Sequence, residues 1–198
     1  MSNQPVDQSR RTWVTMACAV GGAGGVATAI PFVSTFQPSE RARAAGAAVE
    51  ADISALKPGE MMTVEWRGKP VWIIKRTPEQ VAGLSKIDGQ LADPKSERKP
   101  DELTPEYARN EHRSIKPDVM IAVGICTHLG CSPSSKFQAG AQASLPDDWP
   151  GGFLCPCHGS TFDLAGRVFK NKPAPDNLEV PPHMYVSDTK LLIGEDKK

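Results

Sequence analysis

Two short stretches constrain this chain more than anything else in it: Cys126-Thr127-His128-Leu129-Gly130-Cys131 and Cys155-Pro156-Cys157-His158-Gly159-Ser160. Together they hold four of the five cysteines and two of the four histidines. Each supplies a closely spaced Cys and His, plus one further Cys. That arrangement suits a metal centre with two thiolate and two imidazole ligands, closed by a loop-to-loop disulfide. Five cysteines are too few for a disulfide-built scaffold, and their clustering argues for a metal site. The odd one, Cys18, lies in an apolar segment and reads as a small buried hydrophobe.

A chain of 198 residues fits one folded domain plus something smaller. Lys+Arg and Asp+Glu are equal at 23 each, so no overall basic field recruits nucleic acid. With 17 Gly and 18 Pro, the chain promises turns and short strands rather than long helices.

Residues 12–39 contain no charged side chain, long enough for a helix that spans a bilayer. Gly21 and Gly25, four apart, either admit a second helix closely or simply dilute hydrophobicity. Arg10 and Arg11 precede the run and read as a twin-arginine export signal. They also place the N-terminus in the cytoplasm and the remainder outside. Ala45-Gly46-Ala47 would suit a signal peptidase, but the apolar run exceeds the 7–15 or so residues of a removable signal. Residues 1–39 are therefore expected to be export signal and retained anchor. Residues 40–51, Ala-rich with no periodic apolar face, are expected to be a linker and hinge.

Residues 52–198 then read as an all-β head, with a nested cluster-binding subdomain at about 119–176. Residues 63–66 and 71–74 flank a turn as a hairpin. Thr77-Pro78-Glu79-Gln80 is a capping box, with Val81, Leu84 and Ile87 following at helical spacing. Residues 88–117 read as charged surface loop with a turn of helix near Pro105, and His112 as solvated. Residues 119–125 read as a buried strand delivering Cys126, and residues 132–150 as loop. Residues 161–163 with 167–169, and 184–186 with 191–193, read as two further hairpins, and His183 as structural.

Cys-x-His and Cys-x-x-His also match the ligand count of tetrahedral zinc. Against zinc stand the two similar Gly-containing loops and the extra Cys in each. A [2Fe-2S] centre with two Cys on one iron and two His on the other uses the same ligands. The paired boxes closely resemble those of the Rieske subunit of quinol–cytochrome c reductase, respiratory complex III. The likeness extends over the anchor, the linker and the loop Pro173-Ala174-Pro175.

The resemblance implies that Cys126 and Cys155 ligate the inner iron, that His128 and His158 ligate the outer one, and that Cys131 and Cys157 form the disulfide. It implies that His158 docks quinol, that Leu129 packs at the quinol-site mouth of the partner subunit, and that Ser160 donates to a cluster sulfide. Phe162 departs from the family pattern, in which many members carry a tyrosine that donates to a cysteine sulfur. A potential lower than that of tyrosine-bearing relatives follows, and that suits menaquinol as an alternative to ubiquinol.

The function so implied is one-electron transfer from ubiquinol at a cytochrome b subunit to a c-type cytochrome, as part of an oxidoreductase. The implied place is the bacterial inner membrane, single-pass, with the head on the periplasmic side. The rivals are the Rieske subunit of a plastoquinol-oxidising or arsenite-oxidising complex, and a zinc-stabilised membrane-tethered interaction module.

Overall fold

A computed structural model of the chain describes residues 7–99 and 102–196, apart from the side chains of Arg41 and Ala45. It falls into two units, residues 1–44 and 45–198.

The first unit is dominated by α1 (Gln8–Ser34). Asp7 caps it, its carboxylate accepting from the Ser9 and Arg10 backbone N–H groups. At about 1.5 Å per residue its 27 residues exceed the roughly 30 Å of a hydrocarbon layer. Its mean hydropathy reaches 1.6, so it is long and apolar enough to cross a membrane. The hydroxyls of Thr12, Thr15, Thr28 and Ser34 fold back onto carbonyls three or four residues earlier. That satisfies them without water, as a lipid setting demands. Cys18 is not buried by protein: it lies exposed on this helix. A short α2 (Glu40–Ala45) follows, with Arg43 paired to Glu40 at 3.0 Å.

The second unit contains three antiparallel three-stranded sheets. Its strands are β1 (Val49–Asp52), β2 (Met61–Trp66), β3 (Lys69–Lys75), β4 (Val119–Val123), β5 (Ser134–Lys136), β6 (Gly152–Leu154), β7 (Thr161–Asp163), β8 (His183–Tyr185) and β9 (Lys190–Ile193). The sheets run β1-β9-β8, β2-β3-β4 and β5-β6-β7. The stretch read as linker is therefore shorter than expected. Val49, Glu50 and Ala51 already pair with Ile193, Leu192 and Leu191, because Ala51 and the two partners that face inward share a buried layer.

The sheet β2-β3-β4 is a wall with a core on each side. Alternate residues of a strand point to opposite faces. Val71, Ile73, Val119, Ile121 and Val123 join one apolar core with Ala51, Leu191 and Ile193. Trp72, Ile74, Met120 and Ala122 join another, which holds Cys126, Phe153, Cys155 and Phe162. Burial on both faces explains why residues 119–123 read as a continuous apolar run.

The Thr77–Gln80 capping box is present and starts α3 (Pro78–Gly83), which tightens into a 3-10 turn over Leu84–Gln90. The segment before β4 is not the solvated loop the charge pattern suggests. Asp93, Ser96, Thr104, Ala108, Arg113 and Ser114 are buried there. The His112 side chain is only 20% exposed. Buried guanidinium groups hydrogen-bond this segment's carbonyls and hydroxyls, which lets polar backbone enter the interior. Residues 132–150 likewise contain β5 and the buried Trp149, whose Nε1 donates to the Lys136 carbonyl at 2.9 Å. His183 is buried, with Nδ1 2.8 Å from the Pro181 carbonyl.

Candidate metal centre

The two Cys/His loops leave the ends of short strands and are built alike. In the first, the Cys126 N–H donates to the Cys131 carbonyl at 2.8 Å and the Gly130 N–H to the Cys126 carbonyl at 3.0 Å. In the second, the Cys155 N–H donates to the Ser160 carbonyl at 2.7 Å and the Gly159 N–H to the Cys155 carbonyl at 3.0 Å. Both turns close on a glycine in the left-handed region, φ 83° at Gly130 and 73° at Gly159. Other residues pay a steric penalty at that φ, hence Gly at the same place in each box.

This frame brings the expected ligands together. Cys126 and Cys155 are free and buried. The rings of His128 and His158 face each other edge-on, centroids 4.7 Å apart. Cys131 and Cys157 form the disulfide between the loops, with Cα atoms 6.6 Å apart. The sulfurs of Cys131, Cys155 and Cys157 lie within 4.8 Å of one another. With two of the three consumed in the disulfide, only Cys155 of that group can ligate.

The donor set fits a cluster with two thiolates and two imidazoles. Nδ1 of His128 is buried without a hydrogen-bond partner. Such an orphaned atom is costly unless something else satisfies it, and a metal would. Burial pushes the Cys126 thiol up in pKa and the adjacent Cys155 thiol adds to this, against the His128 backbone N–H and the Ser160 hydroxyl. Metal binding would release the proton such a thiol otherwise keeps. Neither box contains a charged residue, so the loops bring no competing charge.

A third loop locks both boxes. The Ala174 N–H donates to Ser160 Oγ at 2.9 Å, and Thr127 Oγ1 donates to the Asp176 carbonyl at 2.7 Å. Pro173 and Pro175, exposed on either side of buried Ala174, stiffen that loop. Lys99 holds it from outside through Asp176 at 2.6 Å, and Arg98 through the Pro175 carbonyl at 2.9 Å. Phe162 is fully buried in the core that contains both free cysteines. Leu129, next in sequence to His128, stands 71% exposed, and His158, whose ring packs on that of His128, is exposed too. Arg10 and Arg11 belong to the other unit, in the first turn of α1. The roles of Thr127, Arg98 and Lys99 carry no local sequence signal, since their partners lie 49 and 77 residues away.

Comparison with known proteins agrees with this geometry. A Rieske [2Fe-2S] domain profile matches residues 47–182. The chain is 56% identical over its whole length to the ubiquinol–cytochrome c reductase iron–sulfur subunit of Allochromatium vinosum, of which it covers 94%. It is 39% identical to the subunit of the same name from Blastochloris viridis, over 98% of this chain and 97% of that one. Among solved structures, a chain of a hyperthermophilic respiratory Complex III aligns with 90% of this chain and 98% of its own length, at 26% identity and a TM-score of 0.48.

Proposed function

The chain belongs to the Rieske [2Fe-2S] family of bacterial ubiquinol–cytochrome c reductase iron–sulfur subunits; from this we propose that it carries single electrons from ubiquinol at a cytochrome b subunit to a c-type cytochrome. The observation that carries the reading is the meeting of two buried free thiols with two facing imidazoles, one with an orphaned buried nitrogen. Cys126 and Cys155 would hold the inner iron, and His128 and His158 the outer one. A cluster so ligated supplies a one-electron acceptor at about −150 to +300 mV, far above the roughly −400 mV of all-thiolate plant ferredoxins.

The chain's own residues do the rest. Cys126 and Cys155 sit in an apolar core that excludes water from one side. Ser160 Oγ already accepts from the Ala174 N–H, which leaves its own proton free to donate toward sulfur. His158 is the exposed imidazole, the one a quinol hydroxyl can reach. Its outer nitrogen accepts that hydrogen bond and then the proton. Leu129 supplies apolar contact at the same surface, against the mouth of the quinol site. The anchor α1 is retained in the bacterial inner membrane, and Arg10 and Arg11 direct export of the head to the periplasmic side. Residues 40–48, with the short α2 ahead of β1, serve as the hinge on which the head moves between its two partners.

The test is spectroscopy of the purified membrane complex with its haem content measured alongside. A paramagnetic signal in the reduced state together with co-purifying haem is expected. A colourless, zinc-loaded protein overturns the reading, and a cluster without haem reassigns the chain to an arsenite-oxidising complex.

A further inference from the structure

Three arginines lie in the interior of the head: Arg76 is 1% exposed, and Arg113 and Arg167 are 0%. All three converge on the hairpin that follows β7, directly downstream of the second Cys/His loop. Arg76 donates to the Leu164 carbonyl at 3.3 Å, and Arg113 to the Ala165 and Gly166 carbonyls at 2.9 and 3.3 Å. Arg167 pairs with the buried Asp163 at 2.8 Å. Arg113 also donates to Thr104 Oγ1 and the Leu178 carbonyl.

Carbonyls satisfy the hydrogen bonds of these cations without cancelling their charge. The carboxylates facing them, among the described residues, are Asp163 and Asp93, both buried, Asp88, about half exposed, and Asp118, exposed. Asp163 and Asp88 both pair with Arg167 at 2.8 Å and neutralise it, so Arg76 and Arg113 face one remaining interior carboxylate, Asp93, while solvent damps Asp118. Burial pulls Arg76 and Arg113 down to about 10, still protonated at neutral pH.

The charge borders the core that holds the thiols. A Cβ at Gly166 would meet Met120 Cε at 2.9 Å, Arg113 Nη1 at 3.2 Å and Leu178 Cβ at 3.3 Å. Met120 and Leu178 belong to the same apolar cluster as Cys126 and Cys155. Met120 and Leu178, both fully buried, adjoin the Arg113 guanidinium on the side of that cluster, and in such apolar surroundings a charge is felt more strongly than through water.

We propose that Arg113, with Arg76, forms a buried cationic support that raises the reduction potential of the cluster by charge alone, with no hydrogen bond to it. The proposal rests on the [2Fe-2S] reading above. Reduction places one more electron on the cluster, and a fixed positive charge beside the apolar core favours that state; net charge is among the determinants of such potentials. Arg113 is thus a positioning residue for the potential, distinct from the Ser160 hydroxyl that acts by direct donation.

Redox titration of the full-length, cluster-loaded chain, followed by the signal of the reduced state, tests it through signs. Arg113→Gln is expected to lower the midpoint and Asp163→Asn to raise it, while Arg113→Lys stays near the parent. A purely structural role loosens the same hairpin in both neutral variants and moves both midpoints the same way. That result, or no shift in either, overturns the proposal. If Arg113→Gln does not retain its cluster, Arg76→Gln takes its place with the same expected sign. A parent protein with no cluster signal instead overturns the functional reading itself.

Discussion

The two faces of the β2-β3-β4 sheet are made by the same strands and yet are held in different ways. On the side of β1 and β9, Val71, Ile73, Val119, Ile121 and Val123 meet Leu191 and Ile193 in a mostly aliphatic core that also takes in Trp66. Each such side chain contributes about 1.5–3 kcal/mol on burial, and the flanking strands pair in regular ladders. On the other side, β5, β6 and β7 have three residues each. There the loops depend on a disulfide, a few hydrogen bonds through Thr127, Ser160 and Asn177, and buried arginines. Non-directional burial makes a platform, and directional bonds place ligands on it. Both faces bury apolar side chains, but the chemistry, and the directional bonds that place it, lie on only one of them.

Removing the proposed ligand Cys155 should break only one face. Cys155→Ser is expected to abolish the visible colour and the reduced-state signal entirely. The circular dichroism of the strands should remain, since Cys155 is absent from the aliphatic core. Loss of strand structure in this variant would mean that the platform depends on the metal. Conversely, Ile73→Ala opens a cavity in the aliphatic core and should cost about 2–5 kcal/mol. The cluster potential should not change, and a shifted midpoint would show that the faces communicate.

The disulfide sharpens the contrast. Cys131 and Cys157 are 26 residues apart, and closing a loop of that size contributes about 2–4 kcal/mol by restricting the unfolded chain. Cys131→Ser is expected to lower the temperature at which the cluster bleaches by more than it lowers the unfolding midpoint of the strands. Equal shifts in the two measurements would make the head a single cooperative unit with no private stability on the cluster side.

The same division governs what the sequence made legible. The aliphatic face announces itself, because β4 is a run of five buried apolar residues and the β2–β3 hairpin carries its own turn. The Cys/His boxes are legible because their chemistry is local: ligand, spacer and glycine fall within six residues. What supports the boxes is not local. Arg76 and Arg113 reach carbonyls 88 and 52 residues away, and nothing in their neighbourhood distinguishes them from surface arginines. The same long-range pairing buries residues of the 88–117 segment that composition marks as solvated. Val49–Ala51 read as spacer because β1 has only one buried residue of its own, and its ladder partner, β9, comes at the far end of the chain.

A smaller effect is expected from Phe162→Tyr. The ring is fully buried in the core shared by Cys126 and Cys155, so a hydroxyl added there needs a partner, and a ligand sulfur is the acceptor the family pattern supplies. Donation to sulfur stabilises the reduced cluster, so the midpoint should rise while the unfolding temperature changes little. A midpoint that fell or stayed put in a redox titration would count against the assignment. It would also remove the ground for linking Phe162 to the choice of quinol.

The smallest effect belongs to the platform side and to pH. His183, on β8, is buried beside Tyr107, with ring centroids 5.4 Å apart. Burial lowers its pKa from the ordinary 6.5, against weaker upward pulls from the Pro181 carbonyl and Asp196. The folded chain therefore keeps this ring neutral where the unfolded chain takes a proton. Stability from this group is complete above about pH 6.5 and is lost as pH falls from there toward the folded value. In His183→Phe, which keeps the aromatic contact, the fall in melting temperature between pH 7.5 and 5.5 is expected to be shallower than in the parent. The cluster midpoint, measured at one pH, should be the same in both. If the variant instead follows the parent's pH profile, the acid sensitivity of the fold lies on the cluster face, and the separation of the two faces fails for protons even where it holds for packing.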